Sequence, residues 1–274
     1  MGIILGIDVG GSTTKIVGSD GKRIFSPMLV RANDPVTSVY GAFGKFTNEN
    51  RLPLSALQEI RITGVGSKKL GADLYGIPVT HTDEFLCNAK GGLYISGVQK
   101  AIIVSMGTGT AYVWADSENG TAEYLGGTGV GGGTLTGLSK KLVGVSDTAQ
   151  LSTLAEAGDL KNVDLRIGDI AGERLNSILS DTTTAANFGN VSELATNADL
   201  AKGMFNMVYE TIGMLAVFAT RQKKCDDVVL IGNLAGFPQA KETFDTLSRM
   251  FGVNFRIPDL YAYGTVIGAA LTSV

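Results

Sequence analysis

Short apolar runs that end in glycines alternate with amphipathic stretches along the chain. The first run, residues 3–9, is interrupted only by Asp8 and ends at Gly10 and Gly11. This pattern predicts a buried strand followed by a tight turn. The same reasoning predicts further strands at 14–17, 22–25, 59–65 and 77–80, and helices at 35–48 and 83–96.

A second cycle with the same order starts near residue 102. A buried strand at 102–104 ends in Gly107-Thr108-Gly109, and the next strand is expected at 110–115. The pattern then predicts a strand from 123, a glycine-rich stretch at 126–137, helices at 151–157 and 199–221, a strand at 227–231 and a closing helix at 261–274. The repeated order predicts an α/β protein of two related halves, at 1–99 and 100–274, with a cleft between them.

Composition narrows the classes of function. Hydrophobic residues make up 44% of the 274 residues, so the chain can bury a sizeable core. The formal net charge of -3 and the scattered Lys and Arg residues argue against a nucleic-acid or membrane-surface partner. Cys87 and Cys225 are isolated, which disfavours a disulfide framework or a zinc site. No signal peptide and no membrane-span pattern is evident in the sequence, and we expect a cytoplasmic protein.

The first glycine turn carries candidate phosphate chemistry. It contains Asp8, Gly10, Gly11, Ser12, Thr13 and Lys15. Glycines let the backbone approach an anion, and successive N–H groups can bind phosphate oxygens. Lys15 can neutralise phosphate charge, and Asp8 can hold Mg²⁺ through water. The alternative is a hairpin turn with a buried aspartate as a local acceptor.

Three later segments repeat this kind of chemistry. They are the turn with Thr108 and Gly109, the helix start at Gly131, Gly132, Gly133 and Thr134, and the strand end at Gly232 and Asn233. Helix N-termini attract anions through free N–H groups and the helix dipole. Each segment alone could be an ordinary turn or link. Two turns at equivalent places favour nucleotide binding, because a nucleotide in a cleft needs donors from both walls.

Two acids at the start of the predicted helix 83–96 are candidates for proton transfer. Thr82 or Asp83 could cap this helix, and capping is the simplest explanation of Asp83. Glu84 is followed by Phe85, so it could lie in a less polar cleft and act as a general base, although acids in first helical turns are common. His81, the single histidine, has no catalytic or metal-binding companions in the pattern.

Taken together, these segments resemble the type II pantothenate kinases of the actin, hsp70 and sugar-kinase superfamily. The matching segments are 6–12 with Lys15, Asp83 to Phe85, 107–109, 129–134, 155–159, 163–165, Ala185 to Gly189, and 231–233. They occur in the family's order and cover nearly the whole chain. The Ala-Gly-Asp, Val-Asp-Leu and Ala-Asn-Phe-Gly pieces are the most specific, and they argue against a sugar kinase.

The resemblance implies a two-lobed ribonuclease H-like fold with ATP in the cleft. It implies that Glu84 is the catalytic base and that the γ-phosphoryl group goes to the primary hydroxyl of pantothenate, the first step towards coenzyme A. It also implies a homodimer, with the long helix from Asp199 in the interface. Mg·ATP is expected on the first turn, on Thr108 and Gly109, on Gly131, Gly132, Gly133, Thr134, Leu135 and Thr136, and near Asn233.

Two positions depart from the family pattern at the acceptor site. Ala111 stands where the family usually has serine, and Tyr124 stands where it usually has arginine. The resemblance implies that both positions contact the acceptor and that the arginine faces the carboxylate of pantothenate. Tyr124 supplies no charge, so two alternatives stay open: an acceptor without the carboxylate, such as pantetheine, and a non-catalytic ATP-binding regulator.

Overall fold

The first half of the chain forms a six-stranded mixed sheet. The computed structural model describes residues 2–11, 13–31, 34–171 and 180–272. The strands are β1 (Ile3–Val9), β2 (Thr14–Ser19), β3 (Ile24–Val30), β4 (Leu57–Thr63), β5 (Asp73–Leu74) and β6 (Ile77–His81). They lie in the order β3-β2-β1-β4-β6-β5. The sheet encloses a core of aliphatic and aromatic side chains in which Leu5, Ile7, Ile60 and Phe46 are fully buried.

The second half forms a five-stranded sheet. The strands of this half are β7 (Lys100–Met106), β8 (Thr110–Asp116), β9 (Thr121–Thr128), β10 (Leu165–Arg166), β11 (Thr184–Ala186), β12 (Asp227–Ile231) and β13 (Asn254–Arg256). The large sheet has the order β13-β12-β7-β8-β9, and β10 pairs with β11 separately.

The two large sheets share one topology. In the first, β1–β2 and β2–β3 are antiparallel and β1–β4 is parallel. In the second, β7–β8 and β8–β9 are antiparallel and β7–β12 is parallel. The prediction of two related α/β halves is therefore confirmed, whereas the boundary between residues 99 and 100 stays a prediction.

The helices begin and end where capping chemistry allows. They are α1 (Pro35–Glu49), α2 (Glu84–Ser96), α3 (Gly132–Leu142), α4 (Thr148–Glu156), α5 (Ile167–Ala171), α6 (Asn197–Lys223), α7 (Pro238–Phe251) and α8 (Gly264–Leu271). Thr196 caps α6 by accepting the Asp199 N–H. The closing helix was predicted from residue 261, but Tyr261–Tyr263 form a 3₁₀ turn and the α-helix begins at Gly264. No helix within the described ranges is both long and apolar enough to cross a membrane.

Helices α2 and α8 pack against each other between the two large sheets. α2 packs on the second sheet, where Ala89 meets a cluster that includes Ile103 and Val113. α8 packs on the first sheet, where Val266 and Ile267 cluster with a β2 residue. The two helices contact each other so closely that a Cβ atom at Gly91 would clash with the Gly264 carbonyl oxygen. The helix that starts at Glu84 is thereby attached to both sheets.

Candidate active site

The two glycine turns occupy equivalent places and face each other. The first joins β1 to β2, and the Gly10 N–H donates to the Thr13 carbonyl oxygen at 3.0 Å. The second joins β7 to β8, and the Gly107 N–H donates to the Gly109 carbonyl oxygen at 2.9 Å. A Cβ atom at Gly11 would lie 3.4 Å from Thr108 Oγ1. The two turns are therefore close enough for a side chain at Gly11 to contact Thr108. The predicted contribution of Ser12 lies outside the described residues.

Asp8 and Lys15 are paired across β1 and β2 at the base of the first turn. Lys15 is only 7% exposed, and burial lowers its pKa while the Asp8 charge opposes that shift. Burial likewise raises the pKa of Asp8, against the influence of Lys15. Gly64, at φ +87°, lies so close to Asp8 that a Cβ atom would be 2.7 Å from Oδ1. A desolvated carboxyl and a desolvated amine thus lie side by side at the first glycine turn.

This carboxyl fits a magnesium ion that is delivered with a nucleotide. No group of three or more His, Cys, Asp or Glu side chains in the described ranges could hold a metal by itself. Mg²⁺ commonly keeps several waters and takes one or two protein carboxylates together with substrate phosphates. A single half-buried aspartate suits that arrangement.

The start of α3 is bonded to the second turn. The Gly132 N–H donates to the Gly107 carbonyl oxygen and the Gly133 N–H to the Thr108 carbonyl oxygen, both at 2.9 Å. A Cβ atom at Gly131 would lie 2.8 Å from the Thr108 carbonyl oxygen. These two N–H groups therefore fix the turn, and the predicted binding of an anion at this helix start stays a prediction. The glycines are needed because the two backbones touch.

The neighbouring predicted nucleotide residues differ in exposure. Thr134 Oγ1 accepts from the Gly131 N–H at 3.2 Å, and the exposed Thr136 donates to the Gly132 carbonyl oxygen at 2.9 Å. Leu135 is fully buried in the hydrophobic core, so its side chain supports α3 from beneath. Asn233 is exposed at the end of β12, directly after Gly232, whose φ of +95° turns the chain there.

The two acids at the start of α2 have different surroundings. Asp83 Oδ1 accepts the Leu86 N–H at 2.8 Å, so Asp83 is the N-cap. Glu84 is half-buried and accepts no hydrogen bond from any described residue. Burial raises the pKa of Glu84, and the charges of Asp8 and Asp83 raise it further. The start of α2 also lies beside the first glycine turn, because Asp8 pairs with Thr63 across β1 and β4, and Thr63 Oγ1 donates to the Thr82 carbonyl oxygen at 3.0 Å.

Aromatic stacking links Glu84's neighbour to the predicted acceptor residues. Phe85 and Tyr124 stack with ring centroids 4.1 Å apart and an interplanar angle of 19°. A Cβ atom at Gly127 would lie 2.9 Å from the Tyr124 hydroxyl oxygen and 3.8 Å from Ala111 Cα. Ala111 and Tyr124 therefore lie together beside α2. The sequence pattern placed Phe85 next to Glu84 but carried no signal of the stack, which joins separate elements.

Two of the family-specific segments meet at Asp164. This buried carboxylate accepts from the Phe188 N–H and from Asn206 Nδ2, each at 2.9 Å. Asn187 donates to the Glu210 carboxylate of α6 at 2.9 Å. These residues therefore fasten the Val-Asp-Leu and Ala-Asn-Phe-Gly segments to the long helix.

Comparisons with known proteins agree with this architecture. The Fumble family profile matches residues 98–255. A type II pantothenate kinase of Bacillus thuringiensis subsp. konkukian is 30% identical over 244 residues, which cover 84% of this chain and 82% of the relative.

Two solved structures share the fold at lower identity. The activator of the 2-hydroxyisocaproyl-CoA dehydratase from Clostridium difficile with bound ADPNP has a TM-score of 0.69 at 18% identity and covers 98% of this chain and 93% of its own. A ROK family glucokinase from Streptomyces griseus in complex with glucose and AMPPNP has a TM-score of 0.61 at 13% identity and covers 98% of each chain.

The duplicated sheets and the opposed turns define a two-lobed α/β protein of the actin, hsp70 and sugar-kinase type. The sequence matches carry the assignment further. The chain belongs to the Fumble family and, within it, to the type II pantothenate kinases.

Proposed function

We propose that this protein transfers the γ-phosphoryl group of ATP to the primary hydroxyl of pantothenate. The observation that carries the proposal is that α2 starts beside the first glycine turn, because Thr63, the β4 partner of Asp8, donates to the Thr82 carbonyl oxygen, two residues before Glu84. Membership in the type II pantothenate kinases supports the identity of the acceptor.

The nucleotide is held from both halves. From the first half we assign Asp8, Gly10, Gly11, Ser12, Thr13 and Lys15, and from the second Thr108, Gly109, the start of α3 through Thr136, and Asn233. The glycine positions support this assignment, since side chains there would fill the space between the turns or collide with neighbouring backbone. Mg²⁺ would lie by Asp8, and bound Mg·ATP supplies the transferred phosphoryl group.

Glu84 takes the proton of the acceptor hydroxyl as the hydroxyl oxygen forms the new bond to the γ-phosphorus. The bond from that phosphorus to the bridging oxygen of ADP breaks, and ADP leaves with the bonding electrons. A carboxyl with a raised pKa is a stronger base than an ordinary glutamate, so its protonation is better matched to neutral pH. Lys15 places positive charge beside the phosphate turn, where negative charge must be held during transfer.

The acceptor is bounded by Ala111, Tyr124 and Phe85. Tyr124 offers a hydroxyl and an aromatic face but no positive charge, and its ring is fixed against Phe85. This neutral wall favours pantetheine as a second candidate acceptor, because pantetheine lacks the carboxylate of pantothenate. A missing charge-assisted contact would weaken binding of pantothenate by about one to two decades.

We also propose a homodimer that uses α6. Leu215 and Phe218 lie one turn apart on this helix, and they are 38% and 55% exposed. An apolar strip of this kind favours burial against a second copy. Sedimentation at micromolar concentration tests the assembly, and replacement of both side chains by serine should give monomers.

A coupled ADP-release assay tests the function. Pantothenate, pantetheine, glucose and a blank without acceptor are compared at saturating Mg·ATP. We expect acceptor-dependent ADP release with pantothenate. A strong preference for pantetheine would transfer the proposal to the second acceptor, and ADP release with none of the alcohols would leave the non-catalytic alternative.

A further inference from the structure

One buried amide group lies one turn from the candidate base. Asn88 is on α2, four residues after Glu84, and it is fully buried. Its Oδ1 accepts from Thr265 Oγ1 on α8 at 2.7 Å. This bond fixes the orientation of the amide, so the position of Nδ2 is set by the crossing of α2 and α8.

The Nδ2 group of Asn88 has no hydrogen-bond partner within the described part of the chain. A buried N–H group without a partner is destabilising, and such groups are uncommon in folded proteins. Its position is therefore informative about a bond that forms in another state of the site.

The carboxylate of Glu84 is the matching acceptor. Residues at i and i+4 of a helix are neighbours on one face, and helical side chains lean towards the N-terminus. Asn88 therefore leans over the turn that carries Glu84. A donor without an acceptor and an acceptor without a donor stand one turn apart on the same helix.

We propose that Asn88 is a positioning residue: its Nδ2 donates a hydrogen bond to the Glu84 carboxylate when the base is ionised and turned towards the acceptor. This inference rests on the proposed role of Glu84. The bond would orient the carboxylate and stabilise its charged form, against the effects of burial and of the Asp8 and Asp83 charges. Because Thr265 holds the amide, the position of α8 would also set the orientation of the base.

The test compares Asn88→Ala with the wild type in full kcat and KM measurements across pH. Loss of a hydrogen bond to a charged group predicts a fall in kcat of about ten- to hundredfold. The KM for ATP should stay within about twofold, and the acidic limb of the kcat profile should move to higher pH. A merely structural role would lower thermal stability without moving that limb.

A second pair of variants covers the case in which Asn88→Ala does not fold. Thr265→Val removes the hydroxyl that holds the amide, whereas Thr272→Val removes the hydroxyl of the residue that follows α8, which donates to the Gly268 carbonyl oxygen. We expect the acidic limb to shift in the same direction for Thr265→Val and to stay in place for Thr272→Val.

An unshifted limb in folded Asn88→Ala, or in Thr265→Val if the first variant is unfolded, would overturn the inference. Near-normal kcat in Glu84→Gln would instead overturn the assignment of the base, so the two failures are distinguishable.

Discussion

The proposed nucleotide side and the proposed acceptor side of the cleft are built in different ways. The nucleotide side consists of tight turns in which glycine backbones touch, as where Gly132 bonds to Gly107. The acceptor side depends on side chains from separate elements, as where Phe85 stacks on Tyr124. Backbone turns tolerate little change, whereas a wall of side chains can alter its chemistry by substitution. Specificity for the acceptor is therefore the more variable property of this site.

The largest expected effect is that of Glu84→Gln, which should lower kcat and leave ATP binding nearly unchanged. Loss of a general base should lower kcat by about 10²–10⁴-fold while the dissociation constant for ATP stays within about twofold. Asp83→Asn is the matched control, because asparagine is an equally good N-cap. It removes a charge that raises the pKa of Glu84, so kcat measured above the acidic limb should stay near normal. Stopped-flow or steady-state kinetics with ATP-binding calorimetry would measure both quantities, and similar losses in the two variants would contradict the assignment.

On the nucleotide side, Gly131→Ala should raise the KM for ATP by roughly tenfold or more. Its Cβ would lie 2.8 Å from the Thr108 carbonyl oxygen and 2.9 Å from Gly109 Cα, so the turn must move, and the cost of a steric clash of this kind is about 1–3 kcal/mol. Gly137→Ala, in the helix that Gly131 precedes, meets no atom within 4 Å and serves as the control. Equal KM values in these variants would show that the contact does not shape the site.

On the acceptor side, Tyr124→Ala should raise the KM for the acceptor by about two- to tenfold and leave the KM for ATP unchanged. Aromatic stacking is worth about 0.5–1.5 kcal/mol beyond the buried area, and this stack would be lost. Tyr124→Phe keeps the ring and should stay within about twofold of the wild type. A larger effect of Tyr124→Phe would assign the role to the hydroxyl group.

The smallest expected effect is on stability. Burial raises the folded-state pKa of Glu84 above its unfolded value, so the folded protein binds the proton more tightly. The stability contributed by Glu84 is therefore full at pH values below the unfolded pKa and falls as pH rises through the folded pKa. Glu84→Gln should melt higher than the wild type at pH 8, and the difference should shrink on acidification. Thermal melts across this range would disprove the burial argument if the difference grew in acid.

Patterns within one segment could be predicted, and contacts between distant segments could not. β1 was predicted at its observed bounds, and α2 with Thr82 or Asp83 as its cap, of which Asp83 is the observed one. Both predictions succeeded because apolar periodicity and capping residues are local. The paired halves followed from the repeated order of elements. The crossing of α2 and α8 could not be predicted, since Gly91 and Gly264 meet only in the folded chain.

Some missed elements did carry local signals. α7 was not predicted, although Pro238 stands at its first turn and Gly252 ends it in the left-handed conformation. Its buried positions, including Phe244 and Leu247, have helical spacing. The short strands β5, β10, β11 and β13, of two or three residues each, are too brief for periodicity to identify. Asn88 was missed because its partner Thr265 is remote in the chain.

The most direct test of the account follows the phosphoryl group itself. Wild type and Glu84→Gln are incubated with ATP labelled in its γ-phosphoryl group and with pantothenate, and the products are separated by mass. The account predicts label in the phosphate ester of pantothenate for the wild type and almost none for Glu84→Gln. Label released only as inorganic phosphate, or equal ester formation by the two proteins, would contradict it.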